Sequence, residues 1–184
     1  NRIVIQTHSG GPGATAADSC GRAGLALPRL SPETVEKLKP LIPKTASTAN
    51  PVDMTFSKNP AEDYFSIPDT LLSDRETDML LAYFVSPGIF LERILGEMGV
   101  HEDSITPETD KLIGDFARKF VSLTQRHPDK PIVGFTYRSL QEKMVRTLLD
   151  CGVPVYQDPE RAARSLAAVR EYHERREKMS ADKT

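Results

Sequence analysis

The chain has 184 residues, of which 39% are hydrophobic and 27% are charged, and its formal net charge is −2. This balance is typical of globular proteins and excludes disordered or collagen-like chains, and it offers no basic surface excess for a nucleic-acid partner. No apolar stretch approaches the ~20 residues of a membrane helix and no signal peptide is recognisable, so we expect a cytoplasmic protein with no membrane partner.

Short apolar segments alternate with longer helical patterns throughout the sequence. In chain order we predict a strand at residues 3–7, a helix at 14–23, a weak strand at 25–27, a helix from 31, a polar loop at 45–59, a helix at 61–72, a strand at 79–85, helices at 90–98 and 108–126, a strand at 131–137, a helix at 140–151, a strand at 153–156 and a terminal helix from 158. Ser31, Thr106 and Ser139 are predicted helix caps.

Strands that alternate with helices form a parallel sheet covered on both faces. The sequence therefore predicts an α/β fold, a three-layer doubly wound parallel sheet of about five strands in the order 2-1-3-4-5, with its ligand at the carboxyl ends of the strands. We expect one such flavodoxin-like domain over residues 1–176, and a charged tail at 177–184 that frays.

The strongest local signal is the glycine loop Ser9-Gly10-Gly11-Pro12-Gly13, between the first strand and its helix. A helix N-terminus offers unpaired N–H groups and partial positive charge, and glycines let a phosphate approach them, while Ser9 adds a hydroxyl. The alternative is a turn that only reverses the chain, and the spacing alone does not decide. The loop has neither a P-loop lysine nor a G-x-G-x-x-G pattern, so neither nucleotide fingerprint is supported.

Three further polar residues are candidates for this site. His8 precedes Ser9, but neighbouring side chains at a strand end point apart and the glycine of a nucleophile elbow is missing, so we expect ligand contact or packing rather than a Ser–His pair. Asn50 and Asp53 bracket a turn, which either holds the loop together or supplies a polar contact near the glycines. We assign no catalytic residue and, because the histidines lack metal-type spacing, no metal site.

The segment from Arg2 to Gly13, followed by Ala16-Ala17-Asp18, resembles the NDP-forming acyl-CoA synthetases, the relatives of succinyl-CoA synthetase. Asn50-Pro51-Val52-Asp53 resembles the Asn-Pro-Val-Asp motif of that family, and residues 152–156 and 159–163 resemble the end of the same domain. Together these segments span almost the whole chain.

The resemblance implies a flavodoxin-like CoA-ligase domain of an enzyme that joins a carboxylic acid to CoA while ATP is cleaved to ADP and phosphate. In that family a phosphohistidine relays the phosphoryl group, and helix N-termini of paired flavodoxin-like domains hold it. The implied binding residues here are His8, Ser9, Gly10, Gly11 and Gly13, with Asn50 and Asp53 behind them.

The resemblance also implies what other parts of the enzyme supply. The implied partners are a CoA-binding Rossmann domain, a phosphohistidine domain and an ATP-grasp module, and ATP, Mg²⁺ and CoA would bind to the parent enzyme rather than to this domain alone. The His-Thr-Gly-Ala segment of the phosphohistidine is absent, so we expect the isolated chain to be inactive. His8 departs from the family, which has asparagine there. The alternative function is a non-catalytic regulatory module that binds a nucleotide or a partner.

Overall fold

The computed structural model describes residues 1–57, 59–85 and 87–181. Its strands form one parallel sheet in the order β2-β1-β3-β4-β5. The strands are β1 (Ile3–Thr7), β2 (Val52–Asp53), β3 (Met79–Tyr83), β4 (Ile132–Phe135) and β5 (Val155–Tyr156). The predicted α/β class and strand order are confirmed.

Helices cover both faces of this sheet. They are α1 (Gly10–Arg22), α2 (Pro32–Leu38), a π-helical segment (Glu62–Ser66) that runs into α3 (Ile67–Leu72), α4 (Gly88–Glu97), α5 (Glu102–Arg126), α6 (Lys143–Asp150) and α7 (Pro159–Ala181). Side chains alternate along each strand, so Ile3 and Ile5 pack with α1 and α7, whereas Val4 packs with the helices of the other face. The two buried clusters make the sheet the middle layer of three.

The second strand is not where the sequence predicts it. Residues 25–27 contribute only a single bridge, from Ala26 to Arg2, and β2 forms instead inside the predicted polar loop. Between these two contacts the Asn50 amide pairs with the edge of β1: its Nδ2 donates to the Ile3 carbonyl at 2.8 Å, and its Oδ1 accepts from the Ile5 N–H at 3.0 Å. A side chain therefore satisfies the backbone where no strand lies beside β1.

Three predicted helix starts are also wrong. Helix α1 begins at Gly10 rather than at residue 14, so the glycine loop is itself the first helical turn. Helix α5 begins at Glu102 and contains Pro107, because the His101 ring accepts from the Asp103 N–H and caps the helix earlier. Helix α6 begins at Lys143 rather than at residue 140.

The terminal helix buries only its first half. Ala162 and Leu166 have no exposed surface, whereas Val169 and Tyr172 of the same predicted stripe are 37% and 61% exposed. Helix α7 continues to Ala181, and residues 182–184 of the predicted tail lie outside the described residues. The division at residue 176 stays a prediction.

Candidate functional site at the carboxyl edge of the sheet

The turn from β1 into α1 is held by the side chain of Thr7. The buried Thr7 hydroxyl donates to the Ser9 carbonyl at 2.8 Å and accepts from the Ser9 N–H at 3.2 Å. Ser9 therefore keeps an extended backbone, with φ −163° and ψ 139°, directly before the helix. Helix α1 therefore starts at the carboxyl edge of the sheet, where Gly10 and Gly11 are exposed.

The first turn of α1 leaves two backbone donors free. Neither Gly10 N–H nor Gly11 N–H has a hydrogen-bond partner among the described residues, Pro12 has no N–H, and the Gly13 N–H donates to the Ser9 carbonyl at 3.2 Å. The Ser9 hydroxyl makes no capping bond and is a third potential donor. Two such N–H groups at the positive end of a 13-residue helix are an arrangement suited to an anion.

The three glycines have different surroundings. A Cβ on Gly11 would meet nothing within 4 Å, and one on Gly10 would lie 3.5 Å from Asp53 Oδ2, whereas one on Gly13 would lie 2.8 Å from the Thr7 methyl carbon. Gly10 and Gly11 therefore leave the approach to the donors open. Gly13 instead allows α1 to lie close to β1, and its predicted contact with an anion is not among those that the geometry offers.

His8 lies on the opposite face of the sheet from α1. Its ring packs against Tyr64, with centroids 5.9 Å apart, and its side chain is 17% exposed. Burial lowers the pKa of His8 to about 4, against the opposing effect of Asp53, so the ring is neutral at pH 7. His8 therefore supplies no positive charge to the free donors.

A buried carboxyl group accompanies His8. Asp63 Oδ2 lies 4.0 Å from His8 Nδ1, and Asp63 Oδ1 accepts from the Ser57 hydroxyl at 2.6 Å. Burial raises the pKa of Asp63 to about 6, although the hydrogen bond from Ser57 opposes this. Sequence reasoning missed this pair, since nothing in the helical pattern of residues 61–72 distinguishes one acid as buried.

Asn50 and Asp53 have separate roles. Asn50 is committed to the edge of β1, which agrees with the prediction that this turn holds the loop together. Asp53 Oδ1 accepts from the N–H and the hydroxyl of Thr55, at 3.0 and 2.6 Å, which leaves Oδ2 beside Gly10. A carboxylate therefore lies close to the free donors and opposes the binding of an anion.

A cleft lies at the other edge of the sheet, away from the glycine loop. This cleft of about 680 Å³ opens at the amino edge of the sheet, but its Asp78, Lys130 and Arg170 side chains are already paired within the molecule.

No group of three or more histidine, cysteine or acidic side chains that could hold a metal occurs in the described part of the chain. None of the helices that the structure describes is long and apolar enough to cross a membrane.

Comparison with known proteins supports one family. Residues 3–138 match the model of the Ligase-CoA domain family. The chain is 31% identical over 170 residues to the alpha subunit of acetate–CoA ligase [ADP-forming] II of Pyrococcus furiosus, and 26% identical over 170 residues to acetate–CoA ligase [ADP-forming] I of Archaeoglobus fulgidus. These alignments cover 92% of this chain but 33% and 21% of the two relatives.

Two solved structures are similar in fold to this chain. A crystal structure from Pyrococcus horikoshii superposes with a TM-score of 0.70 and 29% identity, covering 91% of this chain and 34% of that one. The apo dinucleotide-forming acetyl-coenzyme A synthetase 1 of Candidatus Korarchaeum cryptofilum superposes with a TM-score of 0.67 and 20% identity, covering 94% and 33%, and shows the shared fold. The chain thus spans about a third or less of the length of these proteins.

Proposed function

The chain belongs to the Ligase-CoA domain family, and from that premise we propose that it is the part of an ADP-forming acyl-CoA synthetase that holds a phosphoryl group at the start of α1. The phosphoryl group is carried on a histidine of another part of the synthetase. The N–H groups of Gly10 and Gly11 bind its oxygens, and the Ser9 hydroxyl is a third donor. The observation that carries this proposal is that these two N–H groups at the carboxyl edge have no hydrogen-bond partner among the residues that the structure describes.

The contribution of these donors to catalysis is electrostatic. During phosphoryl transfer negative charge spreads over the phosphoryl oxygens, and donors that are already fixed in a helix need no reorganisation to stabilise it. Thr7 holds Ser9 in place and Gly13 packs α1 onto β1, so both fix the direction of the donors. They act as positioning residues behind Gly10 and Gly11.

The overall reaction in this proposal converts a carboxylic acid, CoA and ATP into acyl-CoA, ADP and phosphate. The loop has no lysine for a polyphosphate, and the described residues offer no cluster of metal ligands. We therefore assign ATP, Mg²⁺ and CoA to other parts of the synthetase and route no step of this chain through them. The Rossmann domain, the phosphohistidine domain and the ATP-grasp module are the partners that the proposal requires.

A pair of glycine substitutions in α1 tests the proposal. Gly11 and Gly21 lie near opposite ends of the helix, and a Cβ at either position meets nothing within 4 Å. Gly11→Asp places a carboxylate on the phosphoryl site while favouring the helix N-terminus electrostatically, so its effect is not one of unfolding. Gly21→Asp is the matched control.

The measurement is acid-dependent ADP formation by the chain combined with the remaining parts of the synthetase. We expect Gly11→Asp to lower the rate about 100-fold or more, as the loss of oxyanion donors does elsewhere, and Gly21→Asp to leave it within about twofold of the wild type. Unchanged turnover with Gly11→Asp would contradict the proposal and favour the non-catalytic regulatory module.

A further inference from the structure

Three aromatic rings form a shelf at the carboxyl ends of β3 and β4. The shelf consists of Tyr83, Phe135 and Tyr137, with ring centroids 4.9, 5.7 and 5.9 Å apart. Phe135 is fully buried, whereas Tyr137 is 52% exposed. Since the inner rings hold it in place, Tyr137 presents a planar surface that another ring can stack on.

The sheet places this shelf beside the start of α1. Gln6 pairs with Ala82 and Tyr83 pairs with Phe135, so the end of β1 is level with the shelf. Neighbouring strands are ~4.8 Å apart, which separates the ends of β1 and β4 by about 10 Å. Tyr83 also packs against the buried cluster that contains Ala16 of α1. The shelf and the free N–H groups therefore share one edge and one face of the sheet.

An unpaired cation follows the shelf directly. Arg138 is exposed, and its guanidinium makes no ion pair with any residue that the structure describes. Burial raises the pKa of Tyr83 and the neighbouring Tyr137 adds to this, while the positive charge of Arg138 opposes it. Among the described residues within four positions after a strand end, Arg138 is the only lysine or arginine.

The glycine loop at the start of α1 supplies little positive charge for a phosphoryl group. It provides two N–H groups and one hydroxyl as donors, and the negative charge of Asp53 beside Gly10 weakens the attraction of an anion to them. A phosphoryl group carries close to two negative charges at neutral pH. Arginine is suited to phosphoryl oxygens because its planar guanidinium presents several donors at once.

We propose that Tyr137 and Arg138 bind the phosphorylated imidazole that the glycine turn receives, with Arg138 on the phosphoryl oxygens and Tyr137 stacked on the ring. This assignment rests on the proposed function and specifies its ligand as a single phosphoryl group joined to an aromatic ring. A nucleotide fits less well, since the turn has few donors and no lysine for a polyphosphate.

The test compares three probes with the 184-residue chain: inorganic phosphate, phosphoimidazole and ADP, each followed by calorimetry and by amide NMR shifts. We expect the wild type to bind phosphoimidazole about tenfold more tightly than phosphate, because stacking on an aromatic side chain adds to the affinity. Tyr137→Leu should abolish that preference and leave phosphate binding unchanged. Arg138→Gln should weaken both phosphate and phosphoimidazole several-fold.

Matched controls come from α7, beyond the part that packs on the sheet. Tyr172→Leu removes a similarly exposed tyrosine, and Arg176→Gln removes an exposed arginine without an ion pair among the described residues. Both controls should bind all three probes as the wild type does. Thermal unfolding of each variant checks that the fold is retained.

The outcomes separate this inference from the proposed function. Equal binding of phosphate and phosphoimidazole, with both lost in Gly11→Asp, would overturn the roles of Tyr137 and Arg138 and leave the glycine site standing. Tighter binding of ADP than of phosphoimidazole, dependent on Tyr137, would overturn the inference in favour of a nucleotide. No binding of phosphate by the wild type would overturn both.

Discussion

The two edges of the sheet differ in how completely their charged and polar groups are paired. At the amino edge the Arg2 guanidinium pairs with Glu76 at 2.9 Å and Asp78 at 2.7 Å, and Lys130 donates to two backbone carbonyls. At the carboxyl edge the N–H groups of Gly10 and Gly11 have no partner among the described residues.

This contrast separates the groups that stabilise the fold from those that are available to a ligand. Paired groups at the amino edge hold the start of β1 to the start of β3 and have little capacity left for a ligand. Unpaired donors at the carboxyl edge contribute little to folding and are available to an anion. The cleft of about 680 Å³ also lies at the amino edge, so this cleft and the free donors are at opposite edges of the sheet.

The largest expected effect is a difference in the free energy of unfolding between two glycine variants at the carboxyl edge. Gly13→Ala should lower the free energy of unfolding by about 2 kcal/mol, because the new Cβ overlaps the buried and stiff Thr7 side chain. Gly11→Ala should leave it unchanged or raise it by up to about 0.5 kcal/mol, since alanine favours the helix and the space is open. Urea unfolding measures both, and equal losses would contradict the different roles assigned to the two glycines.

The next effect concerns the amino edge. Asp78→Asn should cost about 1–2 kcal/mol of unfolding free energy, a value reduced for its partial exposure, because Asp78 accepts from the backbone N–H and the guanidinium of Arg2. Its phosphate affinity should be unchanged. Arg138→Gln should show the opposite behaviour, with stability within about 0.5 kcal/mol of the wild type and weaker phosphate binding. A variant that loses both properties would remove the distinction between the edges.

Acid titration sharpens the same contrast. The hydrogen bond from Arg2 holds the pKa of Asp78 well below its usual range, so its stabilisation is complete above the unfolded pKa of about 4 and is lost as the pH falls. The wild type should therefore lose more stability than Asp78→Asn below pH 4. Identical acid unfolding of the two proteins would show that the Arg2–Asp78 pair does not stabilise the fold.

A smaller effect comes from the buried pair near the carboxyl edge. The pKa of Asp63 is raised from 3.8 to about 6, so its ionisation destabilises the fold progressively as the pH rises through that range. The pKa of His8 is lowered from 6.5 to about 4, so the fold gains stability as the pH rises from 4 to 6.5. The two dependences oppose each other, and the stability of the wild type should vary little between pH 4 and 6.

Single substitutions should expose each dependence. With His8→Asn we expect stability to fall by up to about 2 kcal/mol as the pH rises from 4 to 6, and with Asp63→Asn to rise by a similar amount over the same range. Parallel pH profiles for the two variants would rule out this opposition. Chemical denaturation at each pH is the measurement.

The smallest effect should be on ligand affinity alone. Asp53→Asn keeps an oxygen for Thr55 but removes the negative charge beside Gly10. We expect inorganic phosphate to bind about three- to tenfold more tightly, with a larger gain at low ionic strength. Unchanged affinity would mean that phosphate binds away from Gly10.

The sequence was sufficient for the fold because apolar strands alternating with helices admit few arrangements. The position of β2 could not be predicted, because a strand with only two paired residues has no periodic pattern. The Asn50 side chain, rather than a longer strand, pairs with the rest of this edge of β1. The sequence pattern also placed the start of α1 too late, since glycines and a proline suggest a loop although proline is tolerated in a first helical turn.

The sequence indicates where the N–H donors of the candidate site lie, but not which of them have hydrogen-bond partners. The order of strand, glycines and helix located the donors, whereas hydrogen bonding decides that Gly10 and Gly11 are free and Gly13 is not. The shelf could not be predicted, because Tyr83 and Tyr137 come together only through the register of β3 and β4.

The most direct test of the glycine site follows individual amides of the 184-residue chain by NMR as inorganic phosphate is added. We predict that the Gly10 and Gly11 N–H signals shift downfield and saturate together, while the signals of Gly13 and Gly21 stay in place. Phosphate shifts that spare Gly10 and Gly11, or that persist unchanged in Gly11→Asp, would contradict the account.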